Sequence, residues 1–182
     1  TQSVNMIYLY ENKIIGHNTD IDGFEFAIKN IGYEVNGKKI LILGAGGVVP
    51  SIIFALNRMG ASEIILSNRT KSKAEKLKKL FKDLSVIDWG HMPYFDMIIN
   101  ATSLGLNIKD NINLDFSKIE KGKLFFDVIY NPKETNFLKN ARVLGNKTEN
   151  GKKMFIYQAA AAFKIWHNIY PKIDNEVNKL LD

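Results

Sequence analysis

The sequence predicts an α/β protein with a doubly wound parallel sheet, and three observations support this prediction. Short apolar runs at 40–43 and 64–66 lack the alternation of half-exposed strands and are typical of strands buried on both faces. A helical pattern at 51–59 separates these two runs, as in a βαβ unit. A glycine turn joins the first run to that helix. Strands and helices that alternate in this way build a sheet with helices on both faces.

Composition bounds the class of protein. The chain has 182 residues, of which 46% are hydrophobic and 24% charged, enough for one domain with a sizeable core or one domain plus a fragment of another. Cysteine is absent, which excludes disulfides and thiolate metal sites and fits a cytoplasmic protein. No apolar run approaches the roughly 20 residues of a membrane span, so we expect no membrane association. The chain opens on Thr1 rather than methionine, and we expect it to have been cut from something longer.

The side chains argue against several kinds of chemistry. His17, His91 and His167 are far apart in sequence and match no metal-ligand spacing, so no metal site is expected. No Gly-x-Ser-x-Gly elbow supports acyl transfer. The net charge of +6 is concentrated in the lysine-rich stretch 71–82. There Ala74, Leu77, Phe81 and Leu84 fall at helical spacing, and no aromatics alternate with the lysines. We therefore predict a solvated helix and no nucleic-acid partner.

The N-terminal part predicts a hairpin, a polar loop and a helix. Strands at 6–10 and 13–15 are joined by a turn at 11–12, and a helical face runs from Ile21 to Ile31 before Gly32. Thr19 or Asp20 is placed to cap this helix. Together with Asn18, these residues also offer donors and acceptors for a polyhydroxylated ligand.

The glycine turn is Gly44-Ala45-Gly46-Gly47-Val48, between the strand at 40–43 and the helix at 51–59. A helix N-terminus behind such a turn attracts phosphate through its amide groups and its dipole. The pattern is the Rossmann-like dinucleotide fingerprint with Val49 in place of the third glycine. A plain tight turn is the alternative.

The next strand, 63–67, ends at residues that bear on cofactor choice. An NAD site usually has an acidic residue here, whereas an NADP site has arginine and small polar groups for the 2′-phosphate. This strand end has no carboxylate and offers Asn68, Arg69, Thr70, Lys71, Ser72 and Lys73. The pattern favours NADP, because arginine binds a phosphate with two donors. The alternative is that Arg69 is an ordinary surface residue at a helix start.

The remaining elements follow in order. Strands are predicted at 85–88, 96–100 and 124–130, and a final strand at 142–144. Helices are predicted at 134–141, 154–166 and 175–181, with a turn at 149–151. The polar loop with Thr102 and Ser103 is expected to border the cofactor, since ligands lie outside the carboxyl ends of strands. Tyr130 is expected at the same edge, and Gln158 is either exposed or directed at a ligand.

These residues resemble those of the shikimate dehydrogenase family, which reduces 3-dehydroshikimate with NADPH in aromatic amino-acid biosynthesis. Seven pieces match in the family's order. They are Val4-Asn5, Gly16-x-Asn18-Thr19-Asp20, Gly44-Ala45-Gly46-Gly47, Asn68-Arg69-Thr70, Asn100-Ala101-Thr102-Ser103-x-Gly105, Asp127-x-x-Tyr130-x-Pro132-x-x-Thr135, and Asn150-Gly151-x-x-Met154-x-x-x-Gln158-Ala159. The resemblance runs from the first residues to the last long helix.

The resemblance implies a role for each matching residue. Asn5, Asp20, Tyr130 and Gln158 would bind the substrate, and Asp20 would also handle the proton with a lysine. Residues Gly44 to Val48 would hold the pyrophosphate, Asn68 to Lys73 the 2′-phosphate ribose, and Val128 and Gly151 would lie near the nicotinamide. It also implies that 1–17 end a substrate-binding domain, that 18–150 form the NADP-binding domain, and that 151–182 are C-terminal helices closing the substrate cleft. The protein would be a monomer or a homodimer.

Two departures from the family are visible. The partner lysine lies in an N-terminal domain of the family upstream of Thr1, so we expect this chain to bind cofactor but to turn over little or nothing. Lys153 replaces a glycine of the family, and either crowds the nicotinamide pocket or points to solvent. The alternatives are a quinate/shikimate dehydrogenase that uses NAD, and a nucleotide-binding module without catalysis.

Overall fold

The computed structural model describes residues 3–107 and 109–181. Its strands are β1 Met6–Tyr10, β2 Lys13–His17, β3 Lys39–Leu43, β4 Glu63–Ser67, β5 Leu84–Ile87, β6 Met97–Asn100, β7 Leu124–Asp127 and β8 Lys147–Glu149. Its helices are α1 Asp20–Asn30, α2 Val49–Arg58, α3 Lys71–Leu80, α4 Asn136–Val143, α5 Lys152–His167 and α6 Asn175–Lys179, with a 3₁₀ turn at Phe116–Lys118.

The main sheet is parallel in every pairing and has the order β5-β4-β3-β6-β7-β8 within the described residues. The chain moves outward from β3 to β5 and then returns to the other side of β3. The carboxyl ends of β3 and β6 therefore lie at the switch point where such sheets bind ligands. Leu43 pairs with Ser67 and Asn100, and Asn100 pairs with Asp127, so four strand ends are level.

Apolar side chains cover both faces of this sheet. Ile40 and Ile42 of β3 belong to a core shared with α1, α2 and α3, whereas Leu41 and Leu43 belong to a second core shared with α4. Successive residues of a strand point to opposite faces, which explains why β3 needs an unbroken apolar run. The doubly wound α/β fold predicted from the sequence is confirmed.

The remaining strands and helices pack beside the sheet. β1 and β2 form a separate antiparallel hairpin with Ile7, Leu9 and Ile14 exposed. Helix α1 packs closely on α5 at Gly23. A Cβ on this glycine would lie only 2.7 Å from the Gln158 Cβ. None of the helices in the described ranges combines the length and the apolar character that crossing a lipid bilayer requires.

Several predicted elements were misplaced. The predicted strand at 142–144 is wrong: Arg142 and Val143 end α4, and the last strand is β8. Leu84 starts β5 rather than continuing the lysine-rich helix, which ends at Leu80. The strand predicted at 124–130 stops at Asp127, whose carboxylate accepts from the Ile129 amide and turns the backbone out of the sheet.

Candidate functional site

The glycine turn is packed on one side and open on the other. Gly44 has φ +107, and a Cβ there would lie 2.6 Å from the Ala101 carbonyl oxygen, so only glycine fits. A Cβ on Gly47 would meet nothing within 4 Å, and one on Gly46 would come no closer than 3.8 Å to the Ala101 oxygen. The space beside Gly46 and Gly47 is therefore left free by the protein itself.

The N-terminus of α2 faces this turn without a competing anion. The helix begins at Val49 with Pro50 in its first turn, no side chain caps it, and the first turn holds no acidic residue. The Val49 and Ser51 amides donate to the Gly46 and Val48 carbonyls, and Pro50 has no N–H. The amides of Gly46, Gly47 and Val48, at the positive end of the helix dipole, are therefore the ones that a bound phosphate could contact. The turn and the helix together form a cradle that fits a pyrophosphate.

The end of β4 forms the far wall of a cleft of about 540 Å³ that starts at the glycine turn. The Asn68 amide donates to the Thr70 carbonyl at 2.7 Å and fixes the bend that presents Arg69. Arg69 is exposed and forms no ion pair among the described residues. Its guanidinium is consequently free to bind an anion.

This cleft collects most of the predicted cofactor residues. Its lining includes Gly44, Ala45, Gly46, Asn68, Arg69, Thr70, Lys73, Thr102 and Ser103. Gly47, Val48, Lys71, Ser72, Val128 and Gly151 were also predicted, but they are not in the lining. Lys71 is instead paired with Asp88 at 2.8 Å. Trp89, Asn111 and Asn113 line the cleft and were not singled out from the sequence, because no local pattern marks them.

The loop after β6 is held by a buried polar chain. Asn100 donates to the Asp127 carboxylate at 3.0 Å and to the Leu104 carbonyl at 3.1 Å. Its own oxygen accepts from the Thr102 hydroxyl at 2.7 Å and from the Thr102 amide at 3.0 Å. This arrangement places Thr102 and its neighbours along the cleft.

A second cluster of polar side chains joins β1, α1 and α5. The Asn5 amide nitrogen lies 2.9 Å from Asp20 Oδ1 and 3.1 Å from Gln158 Oε1. It also lies 3.1 Å from the hydroxyl of Thr19, and thus has three acceptors for two hydrogens. Within the described residues, Gln158 Nε2 and Asp20 Oδ2 have no hydrogen-bond partner. One donor and one acceptor therefore remain for a ligand.

The predicted helix cap at this cluster is confirmed in its position at Thr19, but not in its side-chain hydrogen bond. Thr19 occupies the N-cap position of α1, but its side chain makes no capping bond and is used in the cluster. Asp20 is the first residue of the helix, and its carboxylate accepts from Asn5. Burial raises the pKa of Asp20 above its usual value, while the hydrogen bond from Asn5 lowers it. A half-buried carboxyl of this kind is suited to exchange a proton with a ligand.

The polar cluster lies at the N-terminus of α1, and the cleft begins at the N-terminus of α2. Ser51, in the first turn of α2, donates to the Asn18 side chain at 3.2 Å, and that same oxygen accepts from the Asp20 amide at 3.1 Å. A single side chain thus links the helix behind the glycine turn to the start of α1. A ligand in the cleft and a ligand on the cluster would be adjacent.

Tyr130 and Gly151 lie where β7 meets α5. The Tyr130 ring is tilted against Phe155 at 4.8 Å, one turn before Gln158, and its hydroxyl shares no hydrogen bond with the cluster. A Cβ on Gly151 would collide with the Val128 carbonyl, so only glycine permits α5 to start this close to β7. The Lys153 side chain does not simply point to solvent, because its ammonium lies 3.3 Å from the Glu149 carboxylate.

A cavity of about 480 Å³ lies at the opposite, amino edge of the sheet. Lys123 lies there with its ammonium 4.0 Å from the Tyr94 ring and 3.1 Å from Glu120. Its charge is already balanced, and this cavity contains none of the residues that the sequence singled out.

Comparison with known proteins places the chain in a family. The model of the family described as shikimate/quinate 5-dehydrogenase matches residues 25–144. The NADP(+) shikimate dehydrogenase of Pelagibacter ubique is 58% identical over the whole chain, which covers 69% of that protein. The enzyme of the same name from Caldicellulosiruptor saccharolyticus is 42% identical over 92% of the chain and 63% of its own length.

Solved structures of shikimate dehydrogenases are also similar to this chain. A shikimate dehydrogenase crystallised with NADP+ has a TM-score of 0.87 and 37% identity, with 98% of this chain and 65% of that chain covered. The Aquifex aeolicus shikimate dehydrogenase has a TM-score of 0.86 and 36% identity, with coverages of 98% and 66%. The chain thus spans about two thirds of the length of its relatives. It belongs to the shikimate/quinate dehydrogenase family.

Proposed function

We propose that this chain is the NADP-binding part, with part of the substrate site, of an oxidoreductase that interconverts shikimate and 3-dehydroshikimate in aromatic amino-acid biosynthesis. The observation that carries the proposal is the contact network from the glycine turn through Ser51 and Asn18 to Asp20. Under this proposal the network would join a dinucleotide cradle to a cluster that binds substrate hydroxyl groups. The relatives named as NADP(+) shikimate dehydrogenases are consistent with this pairing.

NADP, when bound, supplies hydride transfer at its nicotinamide ring. The amides of the glycine turn, at the positive end of the α2 dipole, would bind its pyrophosphate, and Arg69 with Thr70 and Lys73 its 2′-phosphate. Val128 and Gly151 would border the nicotinamide. At the cluster, Gln158 Nε2 would donate to a substrate hydroxyl and Asp20 would hold the proton. Tyr130 would close this site from the β7 side.

We also propose that turnover needs a lysine partner for Asp20. Among the described residues, Asp20 forms no ion pair, and no lysine contributes to the pKa of its carboxyl. We propose the domain boundaries that the resemblance implies. Residues 1–17 would end a substrate-binding domain, 18–150 would form the NADP-binding domain, and 151–182 would be the helices that close the cleft. Shikimate oxidation by this chain alone, at rates typical of enzymes, would refute the need for an added lysine.

Use of NAD is the second candidate. A quinate dehydrogenase from Corynebacterium glutamicum in complex with NAD has 27% identity and a TM-score of 0.87. Against NAD stands the strand end at β4, where Arg69 is free of ion pairs among the described residues and the carboxylate of Asp88 is paired with Lys71.

A paired titration decides between these candidates. The chain is titrated with NADPH and with NADH while the nicotinamide fluorescence is followed. NADPH binding that is much tighter than NADH binding supports the proposal. Tighter NADH binding would move the assignment to the NAD-dependent type, and binding of neither by a folded chain would refute the proposed function.

A further inference from the structure

Asp127 is a buried carboxylate with no role in the function proposed above. It ends β7 at 0% exposure. Its oxygens accept from the Thr135 hydroxyl at 2.6 Å, the Asn100 amide at 3.0 Å and the Ile129 backbone amide at 3.0 Å. Burial of a carboxylate costs free energy, which hydrogen bonds such as these offset only in part.

The bond to Asn100 determines which way that side chain points. An ionised carboxylate only accepts hydrogen bonds, so the NH₂ group of Asn100 must face it and the Asn100 oxygen must face away. That oxygen then accepts from both the amide and the hydroxyl of Thr102. The Thr102 hydroxyl in turn accepts from the Leu104 amide at 3.0 Å. A flipped Asn100 would reverse donor and acceptor and release Thr102.

The other carboxylate oxygen of Asp127 accepts the hydrogen bond from Thr135. Thr135 is the N-cap of α4 and packs against the same loop, since a Cβ on Gly105 would lie 3.0 Å from the Thr135 methyl. The Ile129 amide donates to the same oxygen as Asn100, Oδ1, and this bond directs the backbone that carries Val128 and Tyr130. One carboxylate thus touches the segment before Thr102 and the segment that carries Tyr130.

We propose that Asp127 is a positioning residue that holds the loop at 101–104, which lines the dinucleotide cleft, in register with the segment at 128–130. The proposal deepens the proposed function and rests on it for the identity of the ligand. The positioning itself is a property of the free chain. It can therefore be tested with and without NADPH.

The first measurement is backbone amide hydrogen exchange on the free chain. Asp127→Ala removes the acceptor for three donors, and we expect the amides of Thr102, Leu104 and Ile129 to exchange at least about tenfold faster. Asp127→Asn keeps an oxygen toward Asn100 and Ile129 and should restore most of the protection. Amides in the middle of β3 should not change in either variant. Unchanged exchange at Thr102 and Leu104 in a folded Asp127→Ala chain would overturn the proposal.

The second measurement is NADPH affinity of the folded variants at pH 7.5. Asp127→Ala should weaken binding about tenfold, and Asp127→Asn by less than about threefold, corresponding to the loss and the retention of about one net interaction. Glu149→Gln is the matched control, because it removes a half-buried carboxylate from neighbouring β8 that forms its ion pair with Lys153. A folded Asp127→Ala chain with unchanged affinity would show a purely structural role and contradict the proposal.

Two further outcomes are separable. If Asp127→Ala does not fold, Thr135→Val removes the 2.6 Å bond at constant shape, together with the capping bond from the Leu138 amide to Thr135. It should then speed exchange at Thr102 and Leu104, and unchanged exchange there would refute the proposal. If the native chain does not bind NADPH, the proposed function fails, but the exchange result still supports or refutes the positioning role.

Discussion

At the scale of single residues, the glycines of the turn have different roles, since one is needed for packing and another leaves space for a ligand. Gly44 is required by the fold, whereas the space beside Gly47 serves no packing purpose. We expect Gly47→Ala to leave the free energy of unfolding within about 1 kcal/mol of the native value, because the backbone there needs no positive φ. NADPH affinity should fall about tenfold or more, since the methyl group would occupy the proposed phosphate position. Thermal unfolding and fluorescence titration of the same variant test both halves.

Arg69 tests the assignment of the 2′-phosphate. Charge-assisted hydrogen bonds contribute about 1.5–3 kcal/mol, so Arg69→Ala should weaken NADPH binding by about 10- to 150-fold and leave NADH binding unchanged. Arg142→Ala is the control, because it removes an exposed guanidinium of α4 that is paired with Glu134. An equal loss of NADPH and NADH affinity in Arg69→Ala would contradict a phosphate-specific role.

The carboxyl group of Asp20 tests the polar cluster. The hydrogen bond from Asn5 lowers the pKa of Asp20 and burial raises it, so Asn5→Ala should raise this pKa further. Gln158→Ala should not raise it, since it frees the Asn5 amide for Asp20. Titration of the Asp20 carboxyl carbon by NMR gives the answer. A lower pKa in Asn5→Ala would mean that Asn5 stabilises the neutral acid rather than the carboxylate.

At the scale of elements, the packing of α1 on α5 rests on Gly23. An added Cβ would lie 2.7 Å from the Gln158 Cβ and 2.8 Å from the Met154 carbonyl oxygen. Alanine gains about 1 kcal/mol in helix propensity, but overpacking against backbone costs about 1–3 kcal/mol. We expect Gly23→Ala to destabilise the chain and to displace Gln158 from Asn5. Denaturant unfolding measures the first effect, and a Gly23→Ala chain at least as stable as the native one would refute this account of the contact.

Local patterns predicted the elements whose cause is local. The strand at 40–43, its glycine turn and the helix behind it were all predicted from adjacent residues, and all three are present. The strand predicted at 142–144 is wrong because a segment this short, with two apolar residues after Arg142, fits a strand or a helix end equally well. Here the side of α4 that packs on β7 decides, with Leu138 and Ala141 buried.

The site was only partly predictable, because several of its residues are brought together by tertiary packing rather than by a local pattern. Asn5 and Gln158 are 153 residues apart and meet only when α5 packs on α1, so their pairing came from resemblance to a family rather than from spacing. Trp89 and Asp127 gave no local signal, because their roles depend on strand order and on the register of β6 and β7.

At the scale of the whole molecule, Asp127 links stability to pH. Burial raises its pKa to about 6, against an ordinary value of 3.8. The folded state therefore binds the proton more tightly than the unfolded chain does. The stabilisation is fully present below about pH 4 and is lost as the pH rises through about 6, which amounts to about 3 kcal/mol.

Comparison of native and Asp127→Asn chains isolates this effect. The carboxyls of Asp88, Asp96 and Glu134 have lowered pKa values and act in the opposite direction, but they are common to both chains. Glu149, on neighbouring β8, and Asp110, near Gly105, are the other acids on elements packed against Asp127, and they too are shared. The melting temperature of the native chain relative to Asp127→Asn should fall between pH 4 and pH 7. A constant difference would contradict the raised pKa.

The central claim is that the carboxyl edge of the sheet, at the switch between β3 and β6, holds the dinucleotide. The most direct test is an ¹⁵N NMR titration of this chain with NADPH. We predict saturable shifts at the amides of Gly46, Gly47 and Thr70, and none around Lys123 and Tyr94, which line the cavity at the opposite edge. Shifts centred on Lys123 and Tyr94, with the glycine amides unmoved, would contradict the account.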